Sequence, residues 1–233
     1  MEFEHQKFAA ESAEFHQAID EILELDIPKK DLIHQYPIYS GFVNLGHHLA
    51  LYEIFKKTMM LSGHIAEIGT WKGAGLLFFA KLIKLFEPHS NTQVHGFDWF
   101  EGMDPDPEMD ALTHQGKYKA EYELLLELIR IQKLENIAFV HKLDVANEIT
   151  KFFEEFPSLR FKLIYLDCGI YAVVKKSIQA FWPRLVKGGI LIFDHFNHSG
   201  VPQECQAIQE ELGDMEMHQI EFCRRPTGYV VKA

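Results

Sequence analysis

The segment Ile65-Ala-Glu67-Ile-Gly69-Thr-Trp71-Lys-Gly73-Ala-Gly75 carries the densest chemical signal in the chain. Glycine at 69 lets the backbone turn sharply without a Cβ clash. Glycine at 73 lets the start of a following helix approach a strand or a ligand. Free N–H groups in such a turn suit a ligand carboxylate or phosphate. Glu67, two residues before the first glycine, suits a ligand with a positively charged amine and would sit poorly beside a pyrophosphate. The spacing also departs from the G-x-G-x-x-G of a dinucleotide site, which makes a nicotinamide-dependent oxidoreductase the weaker of the nucleotide readings.

Four further positions carry acids at the ends of apolar runs. Val94-His-Gly-Phe-Asp98-Trp99 places an acid where it can accept hydrogen bonds from ribose hydroxyls. The indole of Trp99 beside it is available to stack on adenine. The bland alternative for Asp98 is a cap on the next turn. Asp144, in His141-Lys-Leu-Asp144, has two readings: contact with an adenine amino group, as acids at this place in such folds make, or a plain helix N-cap. Asp167 ends one run, and Asp194-His195-Phe-Asn-His198 ends the next. Consecutive strands joined by one crossover helix are usually neighbours about 5 Å apart, so Asp167 and Asp194 should converge. Two buried like charges raise each other's pKa unless a cation lies between them. With His195 adjacent, a divalent metal is the natural third party. Two oxygens and an imidazole suit magnesium or manganese, and also zinc or iron. The alternative is a strand-end network of Asp194 and His195 without metal.

The elements that must present these residues are legible as five short runs: Ile65–Gly69, Val94–Asp98, Ile137–His141, Leu163–Asp167 and Ile190–Asp194. Each reads as a strand buried on both faces. Helical periodicity fills Gly75–Phe86, Glu121–Leu134 and Tyr171–Leu185, and Gly188-Gly189 stops the last of these. The alternation predicts an α/β fold, a doubly wound, mostly parallel Rossmann-like sheet with right-handed crossovers. Gln219–Cys223 and Gly228–Lys232, around Arg224-Arg225-Pro226-Thr227, predict a C-terminal antiparallel hairpin at the sheet edge. Residues 1–60 contain no strand run. Phe3–Leu25 and Gly46–Met60 read as helices forming an N-terminal cap or lid, with 61–233 as the Rossmann-like domain. The irregular stretch Glu101–Gly116 has the length of a binding loop. Its acids lack calcium-loop spacing and predict a solvated loop.

Bulk composition narrows the classes. The chain has 233 residues, 47% of them apolar, enough for a full core. Its formal charge of −11 repels phosphate backbones, which disfavours nucleic acid as a partner. Three cysteines without C-x-x-C spacing predict reduced thiols and a cytoplasmic location. No basic, apolar leader is present at the N-terminus and no run approaches the ~20 apolar residues of a membrane span. The expected partner is a small molecule, with homo-oligomerisation left open.

The motifs together resemble a known family. Glu67-x-Gly69 with Gly73 is similar to motif I of class I S-adenosylmethionine methyltransferases. Gly96-Phe-Asp98-Trp99-Phe-Glu-Gly102, the acids at 167 and 194, and Phe181-Trp-Pro-Arg-Leu-Val-Lys-Gly-Gly-Ile190 resemble the macrocin O-methyltransferases, which act on sugars. The resemblance spans roughly residues 60–212. It implies S-adenosylmethionine as cofactor, held by Glu67, Gly69, Trp71, Gly73, Asp98, Trp99 and Asp144. It also implies magnesium held by Asp167, Asp194 and His195. Two departures matter. His195 replaces an aspartate, and Gly169 stands where the family places the acid that deprotonates the acceptor hydroxyl. Three outcomes follow from Gly169. His195 or His198 supplies the base, the metal acidifies the hydroxyl by itself, or the resemblance holds for the fold alone. In the last case the chain is a cofactor-binding protein with altered or lost catalysis.

Overall fold

A computed structural model describes the backbone from Phe3 to Ala233 and side chains from Lys7 onward. The described residues form a six-stranded sheet of order β3-β2-β1-β4-β5-β6. Its strands are β1 (His64–Ile68), β2 (Val94–Asp98), β3 (Ala138–Lys142), β4 (Phe161–Leu166), β5 (Leu185–Phe193) and β6 (Gly228–Val231). The first five are parallel, and β6 runs antiparallel to β5 with Ile190 opposite Val231. All five expected strands are present, and the doubly wound order reverses between β1 and β4.

Helices α5 (Ala74–Phe86), α6 (Tyr122–Ile131), α7 (Val145–Glu155), α8 (Tyr171–Phe181) and α9 (Pro202–Leu212) connect successive strands. The strands alternate side chains between two cores. Ile65, Leu163, Tyr165, Ile190 and Ile192 pack with Leu76, Phe79 and Ile83 of α5 and Leu125 and Ile129 of α6. Ala66, Ile68, Ile164, Leu166, Leu191 and Phe193 face α7, α8 and α9 through Ile149, Phe153, Ile178, Phe181 and Ile208. This period-two division is why each strand reads as a continuous apolar run.

The C-terminal edge differs in detail from the expected hairpin. The strand at 228–231 is there, but its partner is β5. The segment 219–223 forms no strand, and among the described residues the pairing on that side is a single bridge between His218 and Tyr229. Pairing with a long buried strand satisfies more of the β6 backbone than a short polar strand could.

The N-terminal region divides into two parts. Helix α4 (Phe42–Thr58) contributes Leu51, Ile54 and Phe55 to the first core. Helices α1 (Phe3–Leu23), α2 (Lys29–His34) and α3 (Tyr36–Tyr39) have no buried residue among their described side chains. Arg224 holds α1 in place. Its guanidinium lies 2.6 Å from the Glu11 carboxylate, donates to the Ser12 hydroxyl at 2.9 Å, and stacks over Phe8. No helix among the described residues is long and apolar enough to cross a membrane.

A histidine row crosses the second face. His64 on β1 meets His95 on β2 edge-on, and His95 stacks on His141 of β3 with their ring nitrogens 3.0 Å apart. Burial lowers His95 to about 3 and His141 to about 4, and it lowers His64 as well. The folded state therefore holds these rings neutral while the unfolded chain protonates them near 6.5. For His95 and His141 the stability this allows is complete above that value and is lost as pH falls toward 4, at ~1.4 kcal/mol per pH unit for each of these two rings. His141→Phe keeps the aromatic face and removes one proton acceptor. Wild type should lose denaturant midpoint relative to this variant between pH 7 and pH 5. Carboxyl groups elsewhere titrate identically in both proteins and cancel, so a constant difference across that range would contradict the assignment.

Candidate active site

The sheet order reverses at the β1–β4 junction, and open α/β sheets bind ligands outside the carboxyl ends of the strands at that point. Gly69 occupies it. Its φ is +88°, and a Cβ there would lie 2.0 Å from the Asp167 carbonyl oxygen, so only glycine permits the β1 and β4 termini to approach this closely. Gly73, φ +84°, begins α5 and lies against Leu125 of α6.

Glu67 is 2% exposed and points toward the start of α5, where a Cβ on Gly75 would overlap its Oε1. Oε2 is buried with no hydrogen-bond partner. Burial and the nearby Asp167 charge push this carboxyl well above the usual range, against a favourable backbone hydrogen bond from Leu76. A cationic group reaching Oε2 would relieve both conditions.

Asp98 shows its capping role directly. Oδ2 accepts from the Trp71 N–H at 2.8 Å and Oδ1 from the Phe100 N–H at 2.7 Å. Burial raises its pKa and these donors oppose the rise. A carboxylate has about four acceptor positions, so ribose hydroxyls can still be received. Trp71 sits at φ +48° with its ring edge-on to Tyr118, and the Trp99 indole donates to the Gly102 carbonyl. Asp144 is the N-cap of α7. It accepts from the Ala146 N–H at 2.9 Å and the Asn147 side chain at 2.6 Å, while Glu148 returns a bond to its backbone N–H at 2.7 Å.

Asp167, Asp194 and His195 converge as their strands dictate. Each offers a ligand atom within 4.8 Å of the others. Tyr165, on β4, joins the two acids. Its hydroxyl donates to Asp194 at 2.7 Å and lies 3.3 Å from Asp167 Oδ2. Burial first, then Asp194, pushes Asp167 up to about 8. Arg225 is the nearest fixed cation, 3.7 Å from Asp194 Oδ2. His195 lies between two carboxylates, Nε2 3.3 Å from Asp194 and Nδ1 3.5 Å from Glu204. His198 packs edge-on against His195, and its Nδ1 accepts the Gly200 N–H at 3.1 Å.

At Gly169 an added Cβ would lie 2.8 Å from Val201, so the space where a further side chain would begin is already occupied. Burial raises the adjacent Cys168 thiol to about 12, which keeps it protonated. The loop beyond β2 is more anchored than a solvated loop. Asp110 is 1% exposed, accepting from the Tyr171 N–H at 2.8 Å and the Asp106 N–H at 3.0 Å.

Several residues near the site carried no clear sequence signal. Glu204 and Gln203 lie on α9, whose sparse apolar spacing is hard to read. The Gln203 amide donates to the Gly169 carbonyl at 2.6 Å and the Thr113 hydroxyl at 3.2 Å. His47 comes from α4 and its ring centroid is 6.2 Å from that of Tyr165. Burial lowers its pKa, keeping the imidazole neutral near pH 7. Only Tyr165 left a trace, as the polar-tipped residue among Leu163, Ile164 and Leu166.

Among solved structures, calicheamicin methyltransferase CalS11 superposes with a TM-score of 0.84 at 22% identity, over 95% of this chain and 92% of that chain. A second structure, described as apo CalS11, TDP-rhamnose 3'-O-methyltransferase, gives 0.76 at 23% identity, over 95% and 94%. The O-methyltransferase NovP gives 0.63 at 17% identity, over 80% and 77%. At these identities the likeness is one of fold. No curated protein sequence matches. A family model described as "Methyltransferase domain" matches residues 66–196. That span runs from β1 to just beyond β5 and takes in the glycine turn and every acid-bearing strand end, so this chain belongs to the methyltransferase-domain family.

Proposed function

We propose that this protein transfers the methyl group of S-adenosylmethionine to a hydroxyl of a small, sugar-like acceptor. The observation that carries the reading is the row of acids at successive strand ends around the switch point, with Glu67 Oε2 buried and unpartnered. That oxygen suits the cofactor's ammonium group. Gly69 and Gly73, both at positive φ, shape the turn around it, Asp98 receives the ribose hydroxyls, and Trp71 and Trp99 border the adenine. Asp144 would meet the adenine amino group with the acceptor capacity its cap leaves. The sulfonium supplies an already reactive methyl, so the chain's task is alignment and exclusion of water. Residues 1–60 are read as the cap, with α4 as its root in the core and α1 tied through Arg224 to the loop that carries Arg225. The acceptor, as in the CalS11 described as a TDP-rhamnose methyltransferase, is read as a sugar hydroxyl.

The donor set fits a divalent cation. A buried and a half-buried carboxylate with one guanidinium nearby and an imidazole facing them are short of positive charge. Asp167, Asp194 and His195 would hold the ion, magnesium or manganese by ligand type. Such an ion, when bound, would acidify and orient the acceptor hydroxyl. Where no ion is held, His195 is the base nearest the acid pair. His198 would have to release the Gly200 N–H before its Nδ1 could take a proton. Gly169 favours a second reading, a protein that binds the cofactor without turnover.

Calorimetric titration with S-adenosylhomocysteine tests the cofactor site. Wild type should bind, and Asp98→Ala should bind about tenfold or more weakly, as loss of charge-assisted hydrogen bonds predicts. No binding by wild type at millimolar ligand would end the methyltransferase reading. Methyl transfer to a panel of nucleoside diphosphate sugars tests the rest. With magnesium present, Asp167→Ala and Asp194→Ala should each lower kcat about 100-fold. Full activity in both variants and after chelation would remove the metal role and leave methyl transfer standing. Binding without turnover across the panel would favour the second reading.

A further inference from the structure

Glu204 is fully buried on the first turn of α9, and among the described ion pairs its carboxylate faces only His195. Oε1 accepts from the His195 backbone N–H at 3.1 Å, and Oε2 lies 3.5 Å from Nδ1 of the same residue. Both Oε2 and Nδ1 are buried and lack any other hydrogen-bond partner, so each is the other's available complement. On the opposite edge of the ring, Nε2 is directed at the Asp194 carboxylate, 3.3 Å away. A buried carboxylate with no partner is costly, and nothing in the packing of α9 requires an acid here. Apolar Ala207 and Ile208 make its contacts with the second core.

We propose that Glu204 is a positioning residue that claims the Nδ1–H of His195 and thereby presents the lone pair of Nε2 to a divalent cation between Asp167 and Asp194. A histidine that ligates a metal through one nitrogen commonly donates its other N–H to a carboxylate, which fixes ring orientation and tautomer and raises ligand basicity. Here a single carboxylate holds both the backbone and the ring of His195. This rests on the reading of Asp167, Asp194 and His195 as a cation site. A purely structural role, anchoring the 194–196 turn through the backbone N–H, would need only the Oε1 contact.

Glu204→Gln separates the two. Its amide oxygen can still accept the His195 backbone N–H, while its NH2 group faces Nδ1, turns that nitrogen into an acceptor and leaves the proton on Nε2. Mn2+ titration of the full-length protein, followed by electron paramagnetic resonance with 15N-labelled histidine, reads both affinity and imidazole ligation. Wild type should bind Mn2+ with an imidazole coupling that His195→Ala abolishes. Glu204→Gln should bind 10- to 100-fold more weakly, with diminished coupling and unchanged affinity for S-adenosylhomocysteine. Wild-type Mn2+ affinity and coupling in Glu204→Gln would overturn the proposal, as would coupling that persists in His195→Ala. If wild type takes up no Mn2+ at millimolar concentration yet binds S-adenosylhomocysteine, the cation site and the role of Glu204 both fall and the cofactor site stands.

Discussion

Repulsion among buried and half-buried carboxylates is the constraint around which this molecule is organised. Glu67, Asp98, Asp167 and Asp194 end or nearly end neighbouring strands, and the parallel sheet brings all four to its carboxyl edge. Burial raises Glu67, Asp98 and Asp167 from their ordinary range, and mutual repulsion adds to it at Glu67 and Asp167. A fold that needed only stability would place apolar residues there. Compensation comes piecemeal, from two backbone N–H donors at Asp98 and from Tyr165, His195 and Arg225 at Asp194. Glu67 Oε2 has no such partner. The imbalance is one that a cationic ligand would correct.

The surroundings hold those acids close despite their repulsion. The β1 and β4 termini approach at Gly69, where a side chain of any size would strike the Asp167 carbonyl. The loop after β2 is pinned by Asp110 to the start of α8, and the first turn of α9 reaches back through Gln203 to Gly169 and through Glu204 to His195. The same C-terminal loop faces two ways, Arg224 toward helix α1 and Arg225 toward Asp194. Helix α1 and the acid pair are therefore joined through adjacent residues of one segment.

Much of the fold was legible because buried parallel strands leave unbroken apolar runs and their helices leave a 3.6-residue period. Helix α7 carries a short apolar stripe of Val145, Ile149 and Phe153, and Asp144 and Glu148 mark its start. Helix α9 buries only a few residues, among them two polar ones, and so carried little periodicity. The 219–223 segment looked like a strand because local composition cannot reveal that β6 has a longer partner in β5. Asp98 and Asp144 show the limit of reading side chains. The residue type suits either a ligand contact or a cap, and the backbone uses both as caps.

The sequence by itself determined the strand ends, because hydrophobic runs and the acids that close them are local properties. It thereby placed Glu67, Asp98, Asp167, Asp194 and His195 on one edge of the sheet. Tertiary structure alone decided what stands opposite them. Tyr165 reaches both acids across the strand pair, His47 arrives from a helix more than a hundred residues earlier in the chain, and Glu204 meets His195 because α9 folds back over β5. Contacts of that kind depend on how layers pack, and no spacing along the chain encodes them.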